Sequence, residues 1–186
     1  MTVDALILCG GAATRMQGLD KGLQRYQGQT LVEHALQACR AWPLGQVWIS
    51  ANRNLDAYRS YGQPVLSDLR AGFLGPLAGI EAGLAASQAE ALLLLPCDVL
   101  PYPANLLALL QAGLEDGVAV VSARDNARSH PAICLLRSSQ RAEIARRLDA
   151  GQRGVMRWQQ AVGGREVWVA ERLENRNTLD SLLDPA

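Results

Sequence analysis

Neither sign of charge prevails in this sequence: 18 Lys and Arg stand against 18 Asp and Glu in 186 residues. That balance excludes the broad basic field by which proteins attract nucleic acid or an anionic membrane surface, and directs attention to a small ligand held in a local pocket. Long apolar runs are also missing. The longest aliphatic stretch, residues 91–95, is far too short to span a bilayer, and the first residues lack the charged start and apolar stretch of a secretory signal, so a cytoplasmic protein is expected. The four cysteines, Cys9, Cys39, Cys97 and Cys134, show no CxxC pairing, which removes the usual zinc and thioredoxin-type arrangements and suits reduced packing thiols in a cytosolic chain. Neither GxGxxG nor GxxxxGK[ST] occurs, so hydride transfer and P-loop hydrolysis lose their phosphate loops.

What is present is an alternation of short apolar runs with stretches of helical period, the pattern of an α/β fold with helices on both faces of a mostly parallel sheet. Residues 3–9 are apolar almost throughout, as a strand buried on both faces must be, and Gly10-Gly11 ends them. Thr30 and Glu33 form a T-x-x-E capping box before a helix whose inward face is Leu31, Ala35, Leu36 and Cys39. Strands are expected at 47–51 and 64–67, then a small-residue helix to about residue 87. A central strand follows at 91–95. Pro103 suits the first turn of a helix running to about Gly113. Strands at 118–123 and 132–136, joined by a polar excursion, precede a helix at 139–150 capped by Gly151. No repeat, low-complexity tract or linker divides the chain, so residues 1–186 are expected to form one domain.

Ligands of open α/β sheets bind beyond the carboxyl ends of the strands. Gly10 and Gly11, Asn52, Asp68 and Asp98 each fall at such an end. Glycines at 10 and 11 let backbone N–H groups approach phosphate oxygens, and Arg15 and Lys21 can neutralise a triphosphate; a tight turn with two solvated cations is the bland alternative. Asp98, just past an apolar strand, suits a hard divalent cation beside phosphate, or equally a helix cap ahead of Pro101 and Pro103. Asn52 can present a donor and an acceptor to a base edge, while Asp68 and Asn52 also fit turns. His130 reads first as a hydrogen-bonded structural residue, and Trp158 as core.

The segment Leu8-Cys9-Gly10-Gly11-Ala12-Ala13-Thr14-Arg15-Met16, with Asp20-Lys21-Gly22 beyond it, has the pattern GG-x3-RM-x4-K. It resembles the nucleotidyltransferase family that includes molybdenum cofactor guanylyltransferase, whose loop looks like LAGGxxxRMGGxDKG against LCGGAATRMQGLDKG here. Later blocks are similar in the same order: Ala51-Asn52-Arg53, Gly75-Pro76-Leu77-Ala78-Gly79, Pro96-Cys97-Asp98, His130-Pro131 and Asn175-Arg176-Asn177-Thr178. Cys9 stands where Ala is usual, Gln17 replaces the first of two glycines, and Ser50 occupies a place where Asn is expected; triphosphate affinity and one base or ribose contact are the properties these departures touch.

The resemblance implies a Rossmann-like, nucleotide-diphospho-sugar-transferase-like three-layer sandwich that transfers GMP from GTP to molybdopterin. Its nucleotide contacts would be Leu8, Cys9, Gly10, Gly11, Lys21, Ser50, Asn52, Asp68 and Asp98. Arg15, Lys21 and Asp98 would be catalytic, with Asp98 holding Mg²⁺. Gly79, His130, Trp158, Asn175 and Asn177 would flank the pterin. Implied partners, beyond GTP and the pterin, are the molybdenum-insertion enzyme and recipient apo-molybdoenzymes; a monomer is expected. Three rivals stay open: a cytidylyltransferase on the same pterin, whose loop resembles LAAG, a sugar-phosphate nucleotidyltransferase, and a noncatalytic GTP sensor.

Overall fold

The computed structural model describes residues 1–9, 19–72, 74–176 and 180–182. Along the chain, β1 (Val3–Leu8) is followed by a 3-10 turn at Lys21–Leu23, a small hairpin of β2 (Arg25–Tyr26) and β3 (Gln29–Thr30), and α1 (Leu31–Arg40). Then come β4 (Val47–Ser50), α2 (Leu55–Arg59), β5 (Val65–Leu66), α3 (Pro76–Ala86), β6 (Ala91–Pro96) and β7 (Val99–Leu100). The remainder holds α4 (Leu106–Gly113), β8 (Val120–Arg124), β9 (Ser129–Arg137), α5 (Arg141–Asp149), α6 (Val155–Ala161), β10 (Arg165–Trp168) and β11 (Glu174–Asn175).

Seven strands form one sheet in the order β10-β8-β9-β6-β1-β4-β5. β6, β1, β4 and β5 run parallel, and only β9 opposes its neighbours. The mostly parallel sheet with a central β6 therefore appears as expected. Its strands are apolar on both faces because both faces are covered. Ala5, Ile7, Leu93 and Leu95 join α1 and α4 in one cluster, whereas Leu6, Leu92 and Leu94 join α3, α5 and α6 in another. Alternate residues of a strand point to opposite faces, so each strand feeds both clusters, and each fully buried Leu or Ile contributes roughly 1.5–3 kcal/mol.

The Thr30–Glu33 capping box forms in both directions: Thr30 Oγ1 accepts from Glu33 N–H, and Glu33 accepts from Thr30 N–H. It starts α1 on the residue its sequence specified. On α3, a Cβ built at Gly83 would stand 2.7 Å from Leu6 Cδ2, so glycine is what lets this helix lie close on the sheet.

Two boundaries differ most from the sequence expectation. The helix predicted from Pro103 starts at Leu106; before it, the carbonyl of Ala104 accepts from Trp42 Nε1 at 2.8 Å and Tyr102 donates to the carbonyl of Pro96 at 2.7 Å. Residues 103–106 form a turn ahead of the helix, Leu106 N–H donating to the Pro103 carbonyl at 3.0 Å. β9 also begins earlier than expected, at Ser129, and takes Pro131 into the strand. The register slips there from Ser122↔Cys134 to Ala123↔His130, a bulge of the kind that admits proline.

Candidate active site

β1, β4, β5 and β6 are parallel, so their carboxyl ends open on one edge, and of the expected crevice residues Asn52, Asp68 and Asp98 lie at that edge. Lys21 lies on the 3-10 turn after β1, and its ammonium stands 2.8 Å from Asp98 Oδ2 just past β6. Both side chains are mostly buried, at 30% and 14% exposure, where an ion pair is screened less than at a surface. The helix-cap alternative for Asp98 is excluded, since α4 does not begin until Leu106. No described group bonds its second oxygen, Oδ1.

The neighbouring end is built differently. Asn52 Nδ2 donates to Asp68 Oδ2 at 2.8 Å, and Asn52 Oδ1 accepts from Asp68 N–H at 2.9 Å. The amide that sequence reasoning offered to a base edge thus also holds Asp68 in place. Burial raises the Asp68 carboxyl above its usual pKa, against the lowering effect of Asn52. One donor and one acceptor lone pair of Asn52 remain for a ligand. Ser50 and Gly79 are buried against one another: a Cβ on Gly79 would be 2.7 Å from Ser50 Oγ. They set how closely α3 approaches the crevice floor. Leu8 and Cys9 form that floor with Cys97, whose N–H donates to the Leu8 carbonyl at 3.2 Å.

A clip from the end of the chain closes the Asp98 side. β11 pairs antiparallel with β7, placing Asn175 opposite Val99, and Arg176 N–H donates to the Asp98 carbonyl at 2.7 Å. Asn175 Oδ1 is buried and has no hydrogen-bond partner among the described residues, and such an acceptor costs about 1–3 kcal/mol unless a donor reaches it. Arg176 anchors the clip by stacking 4.3 Å from the Tyr26 ring centre and donating to its hydroxyl.

His130 lies on β9 and Trp158 on α6. His130 is buried on β9, with Nε2 3.0 Å from Asp125 Oδ2. Burial would raise the Asp125 pKa, but N–H donation from Leu173, Arg128 and Ala127, together with His130, holds it well below the usual carboxylate range. Trp158 is fully buried in the α3–α5–α6 cluster, its indole N–H without a partner among the described residues. Both side chains are buried. Gly10, Gly11, Arg15, Gln17, Asn177 and Thr178 lie outside the described residues.

Sequence reasoning gave no role to Asp20, Tyr58, Arg70 or Glu81. Arg70 donates through Nε and Nη2 to the buried Glu81 of α3 at 2.7 and 2.8 Å and also bonds Asp149, holding the loop after Asp68 against two helices. A lone carboxylate within the apolar run Gly79-Ile80-Glu81-Ala82-Gly83-Leu84 is the signal that pointed to a buried partner.

Among the described residues no helix is long and apolar enough to cross a membrane, and no three His, Cys, Asp or Glu side chains cluster as metal ligands. Residues 5–165 match the MobA-like NTP transferase domain. The chain is 36% identical over 186 residues to molybdenum cofactor guanylyltransferase of Haemophilus influenzae, covering 98% of this chain and 96% of that protein. It is 40% identical over 159 residues to the protein of the same name from a Shewanella species, covering 85% and 80%. Two solved structures share the fold: molybdopterin-guanine dinucleotide biosynthesis protein A from Archaeoglobus fulgidus, with a TM-score of 0.75, 22% identity and 98% and 95% coverage, and the inositol-1-phosphate CTP transferase from T. maritima, with 0.79, 11%, and 98% and 92%.

Proposed function

The chain belongs to the MobA-like NTP transferase family, and on that premise we propose that it transfers GMP from GTP to molybdopterin, giving a guanine dinucleotide cofactor and pyrophosphate. The observation that carries this reading is the Lys21–Asp98 pair, a cation and a carboxylate 2.8 Å apart at the carboxyl edge of the parallel strands. That edge is where an α/β sheet receives phosphates.

In the reaction, an oxygen of the pterin's terminal phosphate attacks the α-phosphorus of GTP. The bond from that phosphorus to the bridging oxygen breaks, and the electron pair leaves with pyrophosphate. A phosphate monoester is already mostly anionic at neutral pH, its second pKa being about 6, so no protein base has to activate it. The buried His130, engaged with Asp125, fits a mechanism that asks nothing of it. Catalysis is then positioning and charge neutralisation. Lys21 neutralises the leaving pyrophosphate, with Arg15 and the Gly10-Gly11 amides as its partners in the proposal. Asn52 and Asp68 meet the nucleoside, and Asn175 flanks the pterin in the proposal.

Asp98 would hold Mg²⁺, and its donor set fits that ion: Mg²⁺ commonly takes one or two carboxylates and fills the rest of its shell with water and phosphate oxygens. When bound there, the ion would supply positive charge to the phosphate oxygens. Four buried, unpaired cysteines suit a reducing compartment, and the reading therefore places the enzyme in the cytosol. Incubation with Mg²⁺, molybdopterin and each of the four NTPs, followed by mass analysis, tests the assignment. A GMP-containing dinucleotide with stoichiometric pyrophosphate is expected. Binding of GTP without pyrophosphate release would make the protein a sensor, and a CMP-containing product would move it to the cytidylyltransferases.

A further inference from the structure

Successive residues at the start of the 3-10 turn are held from opposite directions. Lys21 reaches Asp98, while the carboxylate of Asp20 is gripped by α2 and the residue before it. Asp20 Oδ1 accepts a short hydrogen bond from the Tyr58 hydroxyl, and Oδ2 accepts from Asn54 Nδ2 at 3.0 Å. The backbone of Asp20 is secured too, its carbonyl accepting from Gln24 Nε2 at 2.9 Å and from Leu23 N–H at 3.3 Å. Tyr58 is fully buried, and its ring packs in the cluster shared with Cys9 and Ile7. Burial, the adjacent Cys9 and the bond to Asp20 raise the phenol's pKa, so it remains a donor. The fit continues at the next residue: a Cβ on Gly22 would lie 2.5 Å from Tyr58 Oη. Asn54 has the left-handed φ of 50°, which asparagine adopts more readily than most residues, at the point where the chain enters α2.

We propose that Tyr58 is a positioning residue of the transfer reaction, acting through Asp20 to hold the Asp20-Lys21-Gly22 turn so that the Lys21 ammonium stays in register with the triphosphate and Asp98. The inference rests on the reading of Lys21 as a triphosphate contact and extends it to α2, which touches no reacting atom. Its physical basis is that a flexible lysine aids a charged reaction only when its backbone is fixed, and misplacement by about an ångström is enough to cost up to 10²-fold.

The test is steady-state kinetics of Tyr58→Phe, Asp20→Ala, the double variant and Lys21→Ala, each checked by thermal unfolding. Tyr58→Phe keeps the ring in the core and removes only the hydroxyl. It should lower kcat/KM for GTP about tenfold while leaving KM for molybdopterin unchanged. Adding Tyr58→Phe to Asp20→Ala should cause little further loss, because the hydroxyl then has no carboxylate to hold. A folded Tyr58→Phe with wild-type kcat/KM, or losses that multiply in the double variant, overturns the proposal. Should Tyr58→Phe fail to fold, Asn54→Gly removes the other donor while permitting the left-handed backbone, and an unaltered kcat/KM there is equally fatal. Lys21→Ala separates the two levels. If it too is unimpaired, the triphosphate reading itself fails, whereas an impaired Lys21→Ala beside a normal Tyr58→Phe removes only the positioning role.

Discussion

Asp98 and Asp125 each follow a strand of the same sheet, yet their surroundings oppose each other. Asp125 is 1% exposed and accepts from three backbone N–H groups and His130, which satisfies its carboxylate entirely within the fold. Asp98 is 14% exposed in its side chain, has Lys21 on one oxygen and leaves the other unbonded among the described residues. A saturated carboxylate stabilises the protein; one with a vacant oxygen at a crevice is equipped for a ligand.

The largest expected effect comes from breaking the saturated site. Asp125→Ala strands several buried donors at once and should destabilise the protein by about 3 kcal/mol or more, read as a lower denaturation midpoint, with activity per folded molecule retained. The same site predicts an acid dependence. Because the folded pKa of Asp125 is depressed, its stabilisation is present above the unfolded carboxyl pKa, about 3.9, and disappears as pH falls below that value through the folded pKa. Wild-type stability should therefore drop below about pH 4 more steeply than that of Asp125→Ala, and parallel curves would show that this knot contributes no pH-dependent stability.

Next in size is Asp98→Asn, which preserves shape while removing the charge. Turnover should fall about 10²-fold or more, with the thermal midpoint nearly unmoved. Near-normal turnover at saturating Mg²⁺ would leave Asp98 no more functional than Asp125. A smaller effect concerns the base. GTP should be used at least about tenfold better than CTP, a gap of only about 1.4 kcal/mol that the Asn52–Asp68 pair can supply through a few hydrogen bonds. Asn52→Ala should narrow that ratio, and an unchanged ratio would put base selection elsewhere. The least disturbance is expected from thiol reagents. All four cysteines are buried, and burial pushes the Cys39 thiol up to about 12, so at pH 8 the native protein should react far more slowly than the unfolded chain, which exposes four thiols. Fast native reaction at Cys9 or Cys97 would mean that the crevice floor opens.

Much of this was legible beforehand, for reasons specific to particular residues. The strands expected at 3–9, 47–51 and 91–95 announced themselves by mostly apolar sequence, and the Thr30 cap by its spacing to Glu33. Asn52, Asp68 and Asp98 stood out as polar residues at strand ends, and Lys21 as a cation in the loop after Gly10-Gly11. The elements passed over are short or weakly patterned: α2 has five residues, β10 has four at an edge with no alternation of polar and apolar, and β11 has two. None carries a periodic signal long enough to read alone. Asp20 and Tyr58 went without roles because their bond spans 38 positions along the chain.

The sequence by itself determined the sheet, the strand-end placement of the polar residues and the family, because apolar runs, glycine loops and ordered motifs are local properties. Only the tertiary structure decided which charges meet. That Lys21 faces Asp98 across 77 positions, that Asn52 turns its amide toward Asp68, and that His130 is locked to a saturated Asp125 follow from which strands become neighbours. Strand adjacency is set by the packing of both sheet faces together, so no single segment contains it.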